Sequence, residues 1–455
     1  MLFKRSNRRL EFCESKLNIA FIHPDLGLGG AERLVVDAAA GLRDKSHTVS
    51  FWTAYFNPNR CFDELKGSDA IPVHTHGSWF PRSVFGKCIA FCAYIRTLIT
   101  TFCLIFHFLL PRYRHSRPHV VVVDQVSIVI PFLRLLSYKV IYYCHFPDKL
   151  LAPGAGKSLS DSSGLSIQNI QASSKLPLFI RNVYRKPLNF FEEWSTGLAN
   201  QILVNSLYTR AVFKAAFPSL ARKEIFPQVL YPAVRLSAFF LENFELNQIG
   251  ELKRFKHCIL SINRFERKKN IPLVIHSFAK LSQLSPSHFT SSVLVIAGGY
   301  DERLPENKEV LIECKELVDH YGLTDQVYFF PSFSRSQQLS LLLHARDGGL
   351  LAYTPENEHF GIVPVEAMAA KVPVVAVNSG GPTESITNGV TGLLVDPTPL
   401  SFSQAFLKVI ADPIAARNMG RYGRERSVSI FGLDAFASRL ENMVVNVVCG
   451  NKKQE

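Results

Sequence analysis

The stretch around which the chain is organised reads Tyr353-Thr-Pro-Glu-Asn-Glu358-His-Phe-Gly-Ile-Val-Pro-Val-Glu366-Ala-Met-Ala-Ala370. An apolar run leads into it, its middle is polar, and a segment of helical composition begins at Glu366, so strand, loop and helix follow one another. In an open α/β sheet, ligands bind at the carboxyl ends of strands, and a helix N-terminus offers free N–H groups to an anion. The stretch therefore predicts a parallel α/β sheet with a site for a phosphate-bearing ligand. The alternative is an exposed acidic loop that only caps the helix, which would account for one of the two glutamates.

Size and charge narrow the class of protein. The chain has 455 residues, which suits two domains of roughly 200 residues each. Hydrophobic residues make up 47% and charged residues 20%, so a largely disordered protein is excluded. The formal net charge of +13 favours an anionic partner, which is nucleic acid, an acidic membrane surface or a phosphorylated substrate.

The nine cysteines are scattered and include no Cys-x-x-Cys pair. This pattern argues against a disulfide framework or a structural zinc site, and it favours a reducing compartment. The residues before Leu17 are charged and lack an apolar core, so we do not expect a signal peptide.

The first domain opens with an apolar run, Leu17–Phe21, that a glycine-rich turn joins to a helical pattern. Gly27, Gly29 and Gly30 let a ligand approach the backbone closely and leave the N–H groups of the next helix free. Their spacing does not match Gly-x-Gly-x-x-Gly, because no glycine follows at the third position. A nicotinamide-dependent enzyme is therefore disfavoured.

Apolar, β-branched runs alternate with helical segments along both halves of the chain. Further strands are expected at 49–53, 120–123, 140–144, 201–204, 258–262, 293–297, 327–330, 349–352, 372–377 and 392–395. The alternation predicts two consecutive doubly wound, Rossmann-like domains that face a cleft. We place the domains at residues 1–236 and 237–455 and assign the final helical pattern, 433–448, to the second.

Residues 89–110 are the least polar segment of the chain. The segment is about long enough to cross a bilayer, but Arg96 and His107 interrupt it and three arginines follow it closely. The alternatives are a helix at a membrane interface, a buried core helix and a membrane span, and the span is disfavoured because it would divide a sheet domain. Residues 151–176, rich in glycine and serine, are interpreted as a flexible insertion.

Two loops of the second domain carry candidate binding residues. Arg264 and Lys269 follow the first strand of that domain, where an arginine fork and a lysine point charge could neutralise a diphosphate. The alternative is a solvated basic loop. Gly298 and Gly299 end the next strand and would let a ligand approach the backbone, although a plain tight turn explains them nearly as well.

In the first domain, His145 closes a strand and is expected to face the cleft. A lone histidine is more often structural than catalytic. The sequence contains no Asp-x-Asp pair and no clustered carboxylates for Mg²⁺ or Mn²⁺, so no metal is expected and cationic side chains would stabilise developing charge.

Taken together, these motifs resemble the retaining glycosyltransferases of the two-domain GT-B type, and the likeness covers nearly the whole chain. Several longer strings are similar to the family of α-1,3/1,6-mannosyltransferases of dolichol-linked oligosaccharide assembly. These strings are residues 23–33, 144–148, 262–270, 297–303 and 357–364.

The resemblance implies a GDP-mannose donor and a mannosyl-chitobiosyl-diphosphodolichol acceptor. Mannose would be added first in α-1,3 and then in α-1,6 linkage at the cytosolic face of the endoplasmic reticulum membrane. The donor is a substrate, and neither a cofactor nor a metal is expected. A complex with neighbouring mannosyltransferases is expected, whereas binding of nucleic acid is not.

The same resemblance implies roles for single residues. Glu366 would bind the donor ribose, Glu358 would face the transferred mannose, and His145 would contact that sugar. Arg264 and Lys269 would hold the diphosphate and stabilise it as it leaves. The donor-binding positions would further include Phe360, Gly361, Ile362, Gly298, Gly299, Gly29 and Gly30.

Two other functions remain as alternatives. The chain could be another GT-B transferase that uses a different nucleotide sugar and a soluble acceptor, which the apolar segment 89–110 disfavours. It could also be a membrane-docked binding protein that keeps the fold without activity. Retention of both glutamates and both loop cations argues against loss of activity, and donor binding without turnover would support it.

Overall fold

The structure, a computed structural model, describes residues 16–84, 88–151, 178–239 and 246–450. The chain forms two compact units: the first ends at Ala233 and resumes at Leu433, and the second runs Val234–Gly432. The predicted boundary after residue 236 falls three residues beyond this division. The predicted insertion, 151–176, lies outside the described residues except for Leu151.

The first unit contains a seven-stranded sheet in which every described pairing is parallel. Its strands are β1 (Asn18–Leu26), β2 (Thr48–Phe56), β3 (Val73–Thr75), β4 (Val120–Asp124), β5 (Lys139–Cys144), β6 (Gln201–Val204) and β7 (Gln228–Val229). They lie in the order β3-β2-β1-β4-β5-β6-β7. The central strand β4 reads Val-Val-Val-Val-Asp and is buried at every position, as a parallel strand covered on both faces must be.

Helices cover both faces of this sheet. They are α1 (Gly30–Asp44), α2 (Ile89–Leu109), α3 (Ile130–Leu135), α4 (Asp148–Leu151), α5 (Leu178–Thr196), α6 (Leu207–Ala216) and α7 (Pro218–Arg222). Successive residues of β1 belong to opposite cores: Phe21 packs in the cluster that contains Val35 of α1, and Ile22 packs in the cluster that contains Leu104 of α2.

Helix α2 is the one described helix long and apolar enough to cross a membrane by length and composition. One of its faces packs in the first unit, where Leu104 is buried and the Arg96 guanidinium pairs with the Asp25 carboxylate at 2.8 Å. The other face exposes Phe102, Phe106 and further apolar side chains. The core alternative therefore holds for one face, and the interface alternative stays open for the other.

The second unit contains a six-stranded sheet that is also parallel in every described pairing. Its strands are β8 (His257–Ile262), β9 (Ser292–Gly298), β10 (Val327–Pro331), β11 (Leu350–Tyr353), β12 (Val374–Val377) and β13 (Leu393–Val395), in the order β10-β9-β8-β11-β12-β13. Its helices are α8 (Ile271–Leu284), α9 (Pro286–Thr290), α10 (Pro305–His320), α11 (Arg335–Arg346), α12 (Ile362–Ala369), α13 (Pro382–Ser385), α14 (Pro399–Ala411) and α15 (Pro413–Phe431). The two doubly wound domains that the alternation predicts are confirmed.

The final helix, α16 (Leu433–Cys449), belongs to the first unit, so its assignment to the second domain was wrong. Phe436 and Leu440 are buried in the same core cluster as Phe21. Close approach to α1 is possible because Gly41 faces Ala437, and a Cβ at Gly41 would lie 2.6 Å from the Ala437 Cβ. Sequence order suggested the wrong domain because it does not show which sheet an amphipathic helix covers.

Cys449, at the end of α16, is disulfide-bonded. The other cysteines in the described ranges are free: Cys61, Cys88, Cys92, Cys103, Cys144, Cys258 and Cys314. One bridged cysteine is not a disulfide framework, and the reducing compartment that the cysteine pattern favours stays a prediction.

Replacing Leu440 by alanine is expected to lower the free energy of unfolding by about 2–4 kcal/mol, because the side chain is buried and leaves a cavity. Hydrogen exchange should accelerate in β1 and α1 and stay unchanged in β8 and β9. Asn442→Ala, an exposed position of the same helix, is the control. Faster exchange in the second unit alone would contradict the assignment of α16.

Candidate active site

Two strand-end loops of the second unit meet at Lys269 and Glu358. Lys269 ends a short 3-10 helix after β8, its side chain is largely buried, and its Nζ forms an ion pair with the Glu358 carboxylate. The Thr354 hydroxyl, just after β11, donates a hydrogen bond to the Lys269 carbonyl oxygen at 2.8 Å. These contacts bring the two predicted residues together at the carboxyl end of the sheet.

The charge of Glu358 is set by its surroundings. Burial raises the pKa of a carboxyl group, but the positive charges of Lys269, His359 and Lys268 outweigh burial and leave the Glu358 pKa below its ordinary value. Glu358 is therefore ionised at neutral pH.

Gly380 and Gly381 allow the Glu358 loop to occupy this position. The Gly381 N–H donates a hydrogen bond to the Glu358 carbonyl oxygen at 2.8 Å. A Cβ at Gly380 would lie 2.5 Å from that oxygen, and a Cβ at Gly381 would overlap the Phe360 backbone. Gly380 also has a φ of +62°, a left-handed conformation that favours glycine.

Arg264 lies on the same edge of the sheet and is exposed. Its guanidinium pairs with the Glu266 carboxylate at 2.8 Å, and Glu266 also pairs with Lys268 at 3.2 Å. Gly298 ends β9 where a Cβ would overlap the Asn263 carbonyl group, and a Cβ at Gly299 would lie 3.3 Å from Arg264 Cγ. Both glycines thus admit the loop that carries Arg264.

Glu366, on α12, is held by two side chains of α11. Gln338 Nε2 donates to its carboxylate at 3.1 Å, and Arg335 Nη1 lies 3.4 Å from it. Burial raises the Glu366 pKa above its ordinary value, although Arg335 and Gln338 partly oppose this effect. A half-buried carboxylate that two donors already orient is suited to accept further hydrogen bonds from hydroxyl groups.

The N-terminus of α12 follows directly from the Glu358 loop. Gly361 caps the helix with a φ of 76° and supplies no side chain to the first N–H groups. Phe360 is buried against Phe431, with ring centroids 5.5 Å apart, so only its backbone is suited to a ligand, whereas Ile362 is exposed. The free helix N-terminus is suited to an anion.

The first unit brings His145 to a carboxylate that sequence reasoning missed. His145 Nε2 and Asp124 Oδ1 are 2.8 Å apart, and the other Asp124 oxygen lies 2.8 Å from Nδ1 of buried His23. The Glu32 carboxylate lies 4.0 Å from His23 Nε2. Glu32 folds back over Gly29, so a Cβ at Gly29 would overlap that carboxylate, whereas Gly30 faces open space.

Ionisation within this cluster follows from its pairing. Burial lowers the pKa of His23, but hydrogen bonding and attraction to Asp124 and Glu32 outweigh burial and raise it to about 9. Burial raises the pKa of Asp124, yet His145 and His23 lower it below its ordinary value. At neutral pH, His23 therefore carries a proton on each ring nitrogen, and Asp124 is an anion.

Sequence reasoning named residues on these strand-end loops but did not predict the side chains that pair with them. The missed side chains are Glu266, Arg335, Gln338, His23, Glu32 and Asp124. Asp124 had a weak signal, since it is the polar residue that ends the four-valine strand β4. Arg335 and Gln338 had no recognisable sequence signal, because polar residues are common in the first turn of most helices.

Among the described residues, no group of three or more His, Cys, Asp or Glu side chains is placed to hold a metal ion. Metal-independent chemistry remains a prediction.

Comparison with known proteins extends these observations. Residues 244–426 match the family described as glycosyl transferases group 1. An α-1,3/1,6-mannosyltransferase of Mus musculus is 42% identical over 95% of this chain and 96% of its own length. The corresponding protein of Rhizomucor pusillus is 40% identical over 95% of this chain and 92% of its own length. Among solved structures, sucrose-phosphate synthase from Thermosynechococcus elongatus is 18% identical, with a TM-score of 0.68 over 95% of this chain and 99% of that one.

The two parallel-sheet domains and this structural likeness define a glycosyltransferase of the GT-B fold. The sequence likeness identifies a more specific family, since it covers nearly the whole length of this chain and of each mannosyltransferase. The chain belongs to the α-1,3/1,6-mannosyltransferase family.

Replacing Gly380 by alanine is expected to weaken binding of a nucleoside diphosphate at least 10-fold, because the new methyl group would displace the Glu358 backbone. Gly389→Ala is the matched control, since Gly389 has a φ of 78° but open space around its Cβ position. Both variants carry the backbone strain of about 1–2 kcal/mol, and only the first carries the clash. Calorimetric titration with GDP measures the difference, and equal affinities would contradict the role given to this contact.

Proposed function

We propose that this enzyme transfers mannose from GDP-mannose to a mannosylated chitobiose on dolichol diphosphate, with retention of configuration, first in α-1,3 and then in α-1,6 linkage. The reaction takes place at the cytosolic face of the endoplasmic reticulum membrane, in a complex with neighbouring mannosyltransferases.

The ion pair of Lys269 with Glu358, beside the open N-terminus of α12, carries this proposal. A donor diphosphate would receive N–H groups from the helix and positive charge from Lys269 and Arg264. The half-buried Glu366 carboxylate would accept hydrogen bonds from the ribose hydroxyls. Glu358, released in part from Lys269 by the diphosphate, would face the mannose.

Departure of GDP builds negative charge on the diphosphate and positive charge on the sugar. Lys269 and Arg264 would stabilise the first, and the Glu358 carboxylate would stabilise the second. Retention follows when the departing phosphate accepts the proton of the incoming hydroxyl on the face that it leaves. These roles need no acid or base beyond the donor itself.

The apolar face of α2 supports a lipid-linked acceptor. Phe106 and Leu109 are exposed there, and Arg112, Arg114 and Arg117 follow the helix, also exposed. Exposed apolar side chains beside arginines suit an interface with anionic lipid. A transferase that uses another nucleotide sugar on a soluble acceptor would have no need of this face.

Purified enzyme with GDP-mannose and a lipid-linked mannosyl-chitobiose should give products whose linkage analysis shows α-1,3 and then α-1,6 mannose. Arg264→Ala with Lys269→Ala should lower kcat by about 10²–10³-fold, since two donors to the leaving group are lost. Arg421→Ala, an exposed arginine of α15, should leave kcat unchanged. Near-normal transfer by the double variant would refute the leaving-group assignment, and turnover only with a different nucleotide sugar would refute the donor.

Phe106→Ser with Leu109→Ser should weaken binding to vesicles of neutral and anionic phospholipid by about 10-fold or more, because two exposed apolar side chains leave the lipid interface. Ile414→Ser, at an exposed apolar position of α15, is the control. Vesicle sedimentation measures the bound fraction. Equal binding by the α2 variant and the control would show that this face does not contact lipid.

A further inference from the structure

Three side chains at neighbouring strand ends of the first unit form a continuous polar chain. β1, β4 and β5 are adjacent in the sheet, with Ile22 opposite Val123 and Asp124 opposite Tyr143. This register places His23 beside Asp124, and His145 directly follows β5. Only His145 reaches the surface, because His23 and Asp124 are 2% and 0% exposed.

The positions of the protons follow from the chemistry of a carboxylate. Ionised Asp124 has no hydrogen to donate, so each ring nitrogen that faces it must carry one. His145 therefore donates Nε2–H to Asp124 Oδ1, and His23 donates Nδ1–H to Oδ2. When the His145 ring is neutral, its remaining nitrogen, Nδ1, has a lone pair and can only accept a hydrogen bond.

His23 keeps Asp124 in this state. A buried carboxylate without a positive partner would take up a proton, and it could then donate to His145 and reverse the hydrogen bond. The His23 imidazolium prevents this, and it is itself stabilised by Glu32 on α1. Glu32, Asp124 and, through Asp124, His145 are the titratable groups that face His23 from the surrounding elements.

We propose that Asp124 is a positioning residue: it fixes His145 as the tautomer protonated on Nε2, so that Nδ1 accepts a hydrogen bond from a sugar hydroxyl group of a substrate bound at the first unit. This inference rests on the proposed function, because that function supplies substrates whose sugar hydroxyl groups can donate to Nδ1. The buried imidazolium of His23 maintains the arrangement and does not touch the sugar.

Asparagine at position 124 would disturb this arrangement at nearly constant volume. An amide has one oxygen and one NH₂ group, so it can accept from only one of the two histidines and must donate to the other. If the NH₂ group faces His145, the His145 proton moves to Nδ1 and the acceptor is lost. If it faces His23, that ring must give up its Nδ1 proton and its charge.

The tautomer is measured by NMR of the histidine rings in the full-length protein labelled with ¹⁵N-histidine, with His145→Gln identifying the His145 signals. The wild-type spectrum should show His145 protonated on Nε2, and Asp124→Asn should remove that state or discharge His23 at neutral pH. A wild-type His145 protonated on Nδ1 would overturn the inference, and this result does not depend on any variant or on activity.

Kinetics separate positioning from a general structural role. Asp124→Asn should lower kcat with GDP-mannose by about 10- to 100-fold and change the KM for GDP-mannose less than threefold, since Asp124 does not touch the nucleotide. In the His145→Ala background, Asp124→Asn should cause less than a twofold further loss, because its target is absent. A full additional loss in that background would show that Asp124 acts through the fold instead. If His145 shows the expected tautomer but the enzyme transfers no mannose, the role of Asp124 in fixing the ring stands and the proposed function is refuted.

Discussion

The second unit depends on a constraint of space: strand-end loops approach one another at distances that only glycine permits. Gly298 admits the loop after β8, and Gly380 and Gly381 admit the loop after β11. These close approaches bring Lys269 within reach of Glu358 and place the N-terminus of α12 beside them. The glycines thus shape the site through backbone contact.

Close approach also brings charges together, and each cationic side chain that is expected to bind phosphate is paired with a carboxylate of the protein. Lys269 pairs with Glu358, and Arg264 pairs with Glu266. Burying a lysine without a partner would be costly, so the ion pair with Glu358 stabilises the largely buried Lys269 side chain. In the proposed reaction, an incoming diphosphate would replace Glu358 as the anion beside Lys269, and the displaced carboxylate would then be available to the positive charge that develops on the sugar.

The parts that the sequence predicts are those with local signals. Hydrophobic runs placed the strands because a parallel strand is buried on both faces, and glycine, lysine and glutamate after a strand indicated the loops. The partners of these residues come from elements distant along the chain, as Asp124 does for His145 and Gln338 does for Glu366. No local pattern specifies such pairs, because they depend on strand order and register. The same reason explains α16, whose apolar stripe specifies that the helix packs but not on which sheet.

Helix α2 shows why hydropathy alone left alternatives open. Its apolar composition has two causes: one face fills the core that contains Leu104 and Ile105, and the other presents Phe102 and Phe106 to solvent. Mean hydropathy sums both faces, so a helix of this kind scores like a membrane span. Arg96 distinguishes a membrane span from a helix packed on the first unit, because its charge lies inside the unit and is compensated by Asp25. Crossing a bilayer would break this pair and leave the arginine in hydrocarbon, whereas docking by the exposed face alone keeps both the ion pair and the packed core.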